Sequence, residues 1–203
     1  MLSTFILLLI MHAFIASVAR AEAELAVSEG LRAAWRSTAA VHPSAAPGPG
    51  SEPGGIQLMA DAARNAVARV AGNNEGWRWW TPASPEHCTS ARGGDCETVR
   101  VYSNWCAGEV DGAGIPLLPA VVDEHGVPLT DDGGQVVRER DWIRIEVVGH
   151  VIGPLASVWP GRLDRLATAA EGPAVLRDHS AGAAVPADGW RLPVPDPERD
   201  LCA

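Results

Sequence analysis

The sequence predicts an α+β protein: a long N-terminal, membrane-anchoring helix, then a second amphipathic helix packed on a small antiparallel sheet. Residues 1–19 carry no formal charge and run without a Gly-Pro break into an Ala-, Glu- and Arg-rich stretch. Over residues 56–70, apolar residues recur at three- and four-residue steps, as on one face of a helix. Between residues 143 and 147 apolar and charged residues alternate, which is typical of a half-buried strand.

We interpret residues 1–40 as one transmembrane and stalk helix. Residues 2–19 form its apolar part, close to the ~20 residues that span a bilayer, and are predicted to contact membrane lipid. A cleaved secretory signal is the alternative, because Ala19-Arg20-Ala21 has the A-x-A form of a cleavage site. Such a signal usually begins with basic residues, and none precedes this apolar run. A buried core helix is the third interpretation.

Composition excludes one class of partner. The net charge is −9, all 16 basic residues are arginines, and they form no cluster. Nucleic-acid binding depends on neutralising phosphates, so no nucleic-acid partner is expected. The sequence contains no phosphate-binding glycine loop, nucleophile elbow or HExxH helix. We therefore expect a protein that is not an enzyme, with no cofactor and no small-molecule substrate.

The four cysteines, Cys88, Cys96, Cys106 and Cys202, are an even number behind an export-like N-terminus, which favours disulfides. Three pairings are possible, and we expect Cys88–Cys96 and Cys106–Cys202. Zinc is the alternative, since His87 adjoins Cys88, but the spacings lack the close cysteine pairs of structural zinc sites. We expect no bound metal.

The rest of the chain divides into three predicted regions. Residues 41–55 are rich in Pro and Gly and predict a linker; residues 56–178 predict an extracytoplasmic α+β domain. Residues 179–203 predict an irregular tail. Within the domain, the WRWW cluster, Trp77–Trp80, suits burial against the sheet, with a ligand or membrane-interface role as the alternative.

Strands are predicted where apolar residues alternate with polar ones. The clearest are ETVRVYSNW and DWIRIEVVGHVIG, the second ending at Gly153-Pro154. Residues 163–171 could form a helix or an extended run, and residues 174–176 predict a last edge strand. The DEHG segment, Asp123–Gly126, could suggest a metal site, but an exposed hairpin tip is the preferred interpretation.

The order of these elements resembles the TadE/TadG-like proteins, pseudopilin-type components of the tight-adherence (Flp) pilus machinery. The resemblance lies in SVARAEAELAVSEGLRAAWRSTAA, in DAARNAVARVAG, and in the strand–turn–strand stretch from IRIEVVGHVIGPL to GPAVLR. It covers about half of the chain and leaves residues 77–134 unplaced. The family's prepilin-like members carry a glycine cleavage site and a glutamate ahead of the apolar run, whereas the first glutamate here is Glu22.

This resemblance implies a pilin-like fold and a single-pass membrane protein with its C-terminal domain outside the cytoplasm. Its partners would be pilin or other tight-adherence proteins, contacted through a small-residue helix face for which we name Ala26, Gly30 and Ala33. Arg20, Arg32 and Arg36 follow the apolar run and favour the opposite orientation by the positive-inside rule. The alternative function is a secreted, disulfide-stapled binding module released by cleavage near Ala21.

Overall fold

The fold is known from a computed structural model, and the α+β prediction is confirmed: two long helices accompany a small sheet. The structure describes residues 2–38, 41–48, 52–72, 79–82, 99–155, 165–175 and 194–202. The helices are α1 (Leu2–Thr38) and α2 (Gly55–Gly72); the strands are β1 (Trp80–Pro82), β2 (Val99–Ser103), β3 (Ile143–Val151) and β4 (Arg165–Gly172). A short 3-10 helix, Asn104–Ala107, follows β2.

The sheet is organised around β3, its longest strand. The strand order is β1-β3-β2, and β4 also pairs with β3. β1 runs antiparallel to the end of β3, with Trp80 opposite Val151 and Pro82 opposite Gly149. The alternating pattern of β3 is confirmed, because Ile143, Ile145 and Val147 are fully buried.

The chain forms two compact units. The first comprises residues 1–30, 63–100 and 145–170, and the second comprises residues 31–62, 101–144 and 171–203. In the first unit, α1 meets α2 and β3 at Gly30. A Cβ atom at this position would lie 2.9 Å from Val67 Cγ2 and 3.4 Å from Ile145 Cδ1. A glycine therefore allows the two helices and the strand to approach one another closely.

In the second unit, the Pro/Gly stretch after α1 is packed rather than free. Pro43 is fully buried, and its carbonyl accepts a hydrogen bond of 3.1 Å from the amide of Ile56 in α2. The amide of Gly55 donates to the carbonyl of Ala45 at 3.0 Å. In its described part this stretch contains turns and one isolated bridge, as its composition predicts, but its backbone is bonded to the start of α2.

The end of the chain covers the outer edge of β2. The amide of Ser103 donates to the carbonyl of Asp200, and the amide of Cys202 donates to the carbonyl of Val101, both at 2.9 Å. The predicted Cys106–Cys202 disulfide is confirmed and fastens this pairing. Cys88 and Cys96 lie outside the described residues, so their predicted bond stays a prediction.

The order of the last elements corrects the sequence-based expectation. Of the alternatives for residues 163–171, the extended run is right, since β4 covers most of them. The predicted edge strand at 174–176 is wrong over its described part, because Ala174 lies in a bend and Val175 has no strand partner. Val175 is instead held by its amide, which donates to Asp141 Oδ2 at 2.7 Å.

Candidate functional site: the exposed start of α1

The first turns of α1 are uncharged and exposed, and from Phe5 onward they are apolar on every side. Residues 3–11 are all exposed except Leu8, which is half-buried, and we call them the projecting segment. The large apolar side chains in and next to this segment keep 41–64 % of their surface: Phe5, Ile6, Leu7, Leu9, Ile10, Met11 and Phe14. A contiguous apolar surface of this kind marks a contact with a membrane or a partner.

α1 is the single helix in the described part of the chain that is long and apolar enough to cross a membrane. A core helix and a signal sequence can share this composition. A core helix would be mostly buried, whereas only 11 % of the most apolar 18-residue part of α1 is buried inside the protein. The core-helix interpretation therefore does not fit. What the structure supports is an N-terminal helix able to span a membrane or to act as a signal sequence.

Beyond the projecting segment, α1 packs against the protein along one narrow stripe. Its members recur at steps of three and four residues, so they share one face of the helix. The buried positions are His12, Ile15, Ala19, Ala23, Ala26, Val27, Gly30, Leu31 and Ala34. After His12 and Ile15 most of these residues are small, which lets the backbone of α1 approach its neighbours.

His12 begins this stripe and faces the loop after β3. Its side chain is 6 % exposed. A Cβ atom on Gly153 would lie 2.5 Å from His12 Nδ1, so the imidazole lies directly against the backbone of that loop. His12 is therefore a packing residue of the fold in this structure, and not an exposed group on the apolar helix.

The three helix-packing candidates differ in burial. Ala26 is fully buried and Gly30 is buried at the junction with Val67, whereas Ala33 is half-buried. Contacts within the chain already occupy the positions of Ala26 and Gly30. A lateral contact with another helix would therefore use the remaining faces of α1.

The first charged side chain of α1 is Arg20. Arg20, Glu24 and Arg32 are exposed, while Glu22 and Glu29 are half-buried. Burial removes water from the Glu22 carboxylate and raises its pKa above the ordinary 4.5. The boundary between the apolar and polar parts of the helix thus contains an acid whose ionised form is disfavoured by burial relative to its form in water.

A second exposed feature is the hairpin array of residues 109–139, whose tip at Asp123–Gly126 was predicted from the sequence. It consists of three consecutive hairpins, bridged at Val110–Pro116, Val122–Pro128 and Thr130–Val136. Three backbone hydrogen bonds form a closed ring within the array. The amide of Leu129 donates to the carbonyl of Val121, the amide of Val137 donates to the carbonyl of Leu129, and the amide of Val121 donates to the carbonyl of Val137. The signal was present in the sequence as two related stretches, DGAGIPL and DEHGVPL.

Each hairpin of the array turns around an aspartate and a glycine. Asp123 Oδ1 accepts hydrogen bonds from the amides of His125 and Val127, both at 2.9 Å. Gly126 closes this turn at a φ of 77°, a conformation that glycine adopts readily. Asp111 with Gly114 and Asp131 with Gly134 repeat the arrangement.

These contacts confirm the hairpin-tip interpretation of the DEHG segment. His125 is exposed, and its Nε2 lies 3.6 Å from the exposed carboxylate of Glu124. Over the residues that the structure describes, no group of three or more His, Cys, Asp or Glu side chains is arranged to hold a metal ion. The carboxylates of Asp111, Asp123 and Asp131 serve the turns in which they lie.

The tryptophan cluster is described in part. Trp80 is buried, at 5 % exposure, as the preferred interpretation predicts, and Trp79 is half-buried. Trp77 lies outside the described residues. A ligand platform built on all the tryptophans of this cluster is therefore disfavoured, because Trp80 faces the interior.

The comparisons with known proteins give no relative. No protein-family description, no curated protein and no solved structure matches this chain.

Proposed function

We propose that the protein is a membrane-anchored, non-enzymatic component of a pilus-assembly machinery of the TadE-like, minor-pseudopilin type. The observation that carries the proposal is the division of one continuous helix into two parts. Its first turns are exposed and apolar, and the rest packs against α2 and β3. An anchor that is rigidly continuous with a folded domain suits a subunit held in a membrane until it is assembled.

The charge distribution along α1 supports an anchor. No charged residue occurs from Leu2 to Ala19, and a helix of that length extends about 27 Å. This approaches the ~30 Å of a hydrocarbon core. The first charged side chain, Arg20, would then mark the membrane surface.

The disulfide supports an extracytoplasmic location for the folded part. Structural disulfides persist in oxidising compartments and are rare in the cytoplasm. Cys106–Cys202 joins residues 96 positions apart and fastens the tail to β2. The arginines after the apolar run favour the opposite orientation, and we give more weight to the disulfide, which a reducing compartment would not maintain.

The first test is the intact mass and the N-terminal sequence of the native protein in membrane and soluble fractions. We expect a membrane-bound chain that retains residues 2–19. A soluble chain that begins at Glu22 would overturn the anchor and favour the secreted binding module. A cytoplasmic domain, shown by protease resistance in intact cells and by free Cys106, would overturn the orientation.

The second test addresses the pilus. Deletion of the coding sequence should abolish surface pili without loss of the pilin subunit, and the wild-type chain should restore them. A chain with Leu7→Arg and Ile10→Arg should fail to restore pili, whereas Val194→Arg, at a side chain 92 % exposed, should restore them. Normal piliation in the deletion strain would overturn the pilus assignment and leave the anchor standing.

A further inference from the structure

The projecting segment is too short to cross a bilayer on its own. Its nine residues, 3–11, extend about 14 Å as an α-helix, about half of a ~30 Å hydrocarbon core. The next residue, His12, is already buried against Gly153. A helix inserted as far as Ala19 must therefore bring the loop that covers His12 into the membrane with it.

That loop has the composition of a membrane-contacting element. Ile152, next to Gly153, keeps 46 % of its surface exposed and continues the alternation of β3, in which His150 is exposed and Val151 is buried. No charged residue occurs from Val151 to Leu155. On α1, Phe14 lies in the same turn as His12 and is 64 % exposed, so the helix exposes a large apolar side chain at the level of its contact with the loop.

β1 places a tryptophan beside the same loop. The amide of Ile152 donates to the carbonyl of Trp79 at 2.7 Å, so the two residues are neighbours across the strands. Trp79 is half-buried, and residues 79–82 carry no charge. Tryptophan is enriched where the hydrocarbon of a bilayer meets its headgroups, because its ring is apolar and its N–H is a donor.

We propose that Trp79, Ile152 and Gly153 form a membrane-contacting edge of the first unit, immersed in a phospholipid bilayer beside α1. This inference rests on the proposed anchor and adds a second contact to it: part of the folded unit enters the lipid. Ile152 would lie among acyl chains, and Trp79 would lie near the headgroups. The edge would shield His12 from lipid by covering it with the backbone of Gly153.

Photo-crosslinking of the full-length chain in phosphatidylcholine–phosphatidylglycerol vesicles tests this edge. The photoreactive group is introduced as Ile152→p-benzoylphenylalanine, and separately at Phe14 and at Val194, which is 92 % exposed on the tail. Lipid adducts are detected by mass. We expect comparable lipid adducts from positions 152 and 14, each at least about tenfold above position 194, because benzophenone labels the acyl chains it is immersed in.

The outcomes separate this inference from the anchor. Lipid adducts from position 14 but not from 152 would overturn the immersed edge and leave the anchor intact. No lipid adduct from either position would overturn both. Adducts from position 152 to a second copy of the chain, or equal lipid labelling at 194, would also overturn the immersed edge.

A second pair of variants tests the same edge without the photoreactive group, whose bulk could disturb the fold. Ile152→Glu places a charge on a side chain that is already half exposed, and Val194→Glu is the matched control. With both variants showing wild-type thermal unfolding in detergent, we expect Ile152→Glu to reduce the fraction recovered in vesicles several-fold. Equal recovery of the two variants would contradict the immersion of Ile152.

Discussion

The projecting segment and the hairpin array both expose large aliphatic side chains, but in different chemical settings. In the hairpin array, Val110, Val122 and Val127 are 52–58 % exposed, similar to Leu7 and Ile10 at 64 % and 63 %. The array, however, contains seven acidic residues and one arginine between positions 109 and 139, whereas residues 2–19 contain no charge. Exposed apolar area alone therefore does not distinguish the two regions; the absence of neighbouring charge does, and the proposed anchor rests on that difference.

The largest expected effect comes from placing arginines in each region and comparing membrane attachment. Leu7→Arg with Ile10→Arg should oppose insertion by about 5–7 kcal/mol, since each arginine at a helix centre costs about 2.5–3.5 kcal/mol. The matched pair in the array, Val122→Arg with Val127→Arg, should have no effect on membrane attachment. The measurement is the fraction that resists alkaline carbonate extraction, and equal fractions for the two double variants would contradict the distinction.

Removal of the disulfide should separate stability from attachment. Cys106→Ser with Cys202→Ser removes a cross-link that closes a large loop, and we expect the free energy of unfolding to fall by about 2–5 kcal/mol. Urea denaturation in detergent measures this change. Membrane attachment should stay at the wild-type level, because neither cysteine lies in α1. An unchanged urea midpoint would show that the pairing of the tail with β2 holds without the bond.

A smaller change tests whether the acidic residues of the array are structural. Asp123→Ala removes the acceptor for the amides of His125 and Val127, which should destabilise the turn by about 1 kcal/mol. Asp123→Asn keeps a side-chain oxygen and is the control. Faster hydrogen exchange at Val127 in the alanine variant alone is expected. If the asparagine variant is equally affected, the negative charge rather than the acceptor stabilises the turn.

The smallest effect is expected at Glu22, where the apolar part of α1 gives way to the polar part. Because burial raises its pKa, the folded protein holds this proton more tightly than the unfolded chain. Stability contributed by the protonated acid is therefore present below pH 4.5 and is lost as the pH rises through the folded-state pKa. Glu22→Gln should flatten this part of the pH profile and slightly stabilise the protein at pH 7.

Thermal unfolding as a function of pH measures the effect. Glu24→Gln, on the exposed side of the same turn, is the control. If both variants flatten the profile equally, the burial of Glu22 is not the cause.

Periodicity in the sequence was enough to predict the elements with a one-sided pattern. Both helices and β3 were placed within a few residues, because their apolar residues repeat with the period of a helix or of a strand. The Cys106–Cys202 pairing was also predicted, although spacing alone leaves three pairings open. In β4 the residues between Leu166 and Gly172 are mainly alanines, which carry no such pattern. The sequence therefore left residues 163–171 open between a helix and an extended run, and it placed the last strand too late, at 174–176.

The full hairpin array and the loop that covers His12 were not predicted, for two different reasons. The array is specified by turn chemistry, an aspartate acceptor and a glycine at positive φ, in strands too short to show alternation. The cover over His12 depends on Gly153, which is 141 residues further along the chain. Contacts between such distant residues follow from the tertiary fold and have no local sequence signal.

In a chain exported as we propose, the pairing of the tail with β2 also sets an order of events. Cys202 follows Cys106 by 96 residues, so the disulfide cannot form until that whole stretch has been synthesised and translocated. α1 emerges first, while the outer edge of β2 has no strand-like partner until Leu201 reaches Tyr102. An open edge can pair with other chains. While these 96 residues are being translocated, the edge of β2 is open and can mispair with other chains. A chaperone that binds the chain in this period would prevent such mispairing.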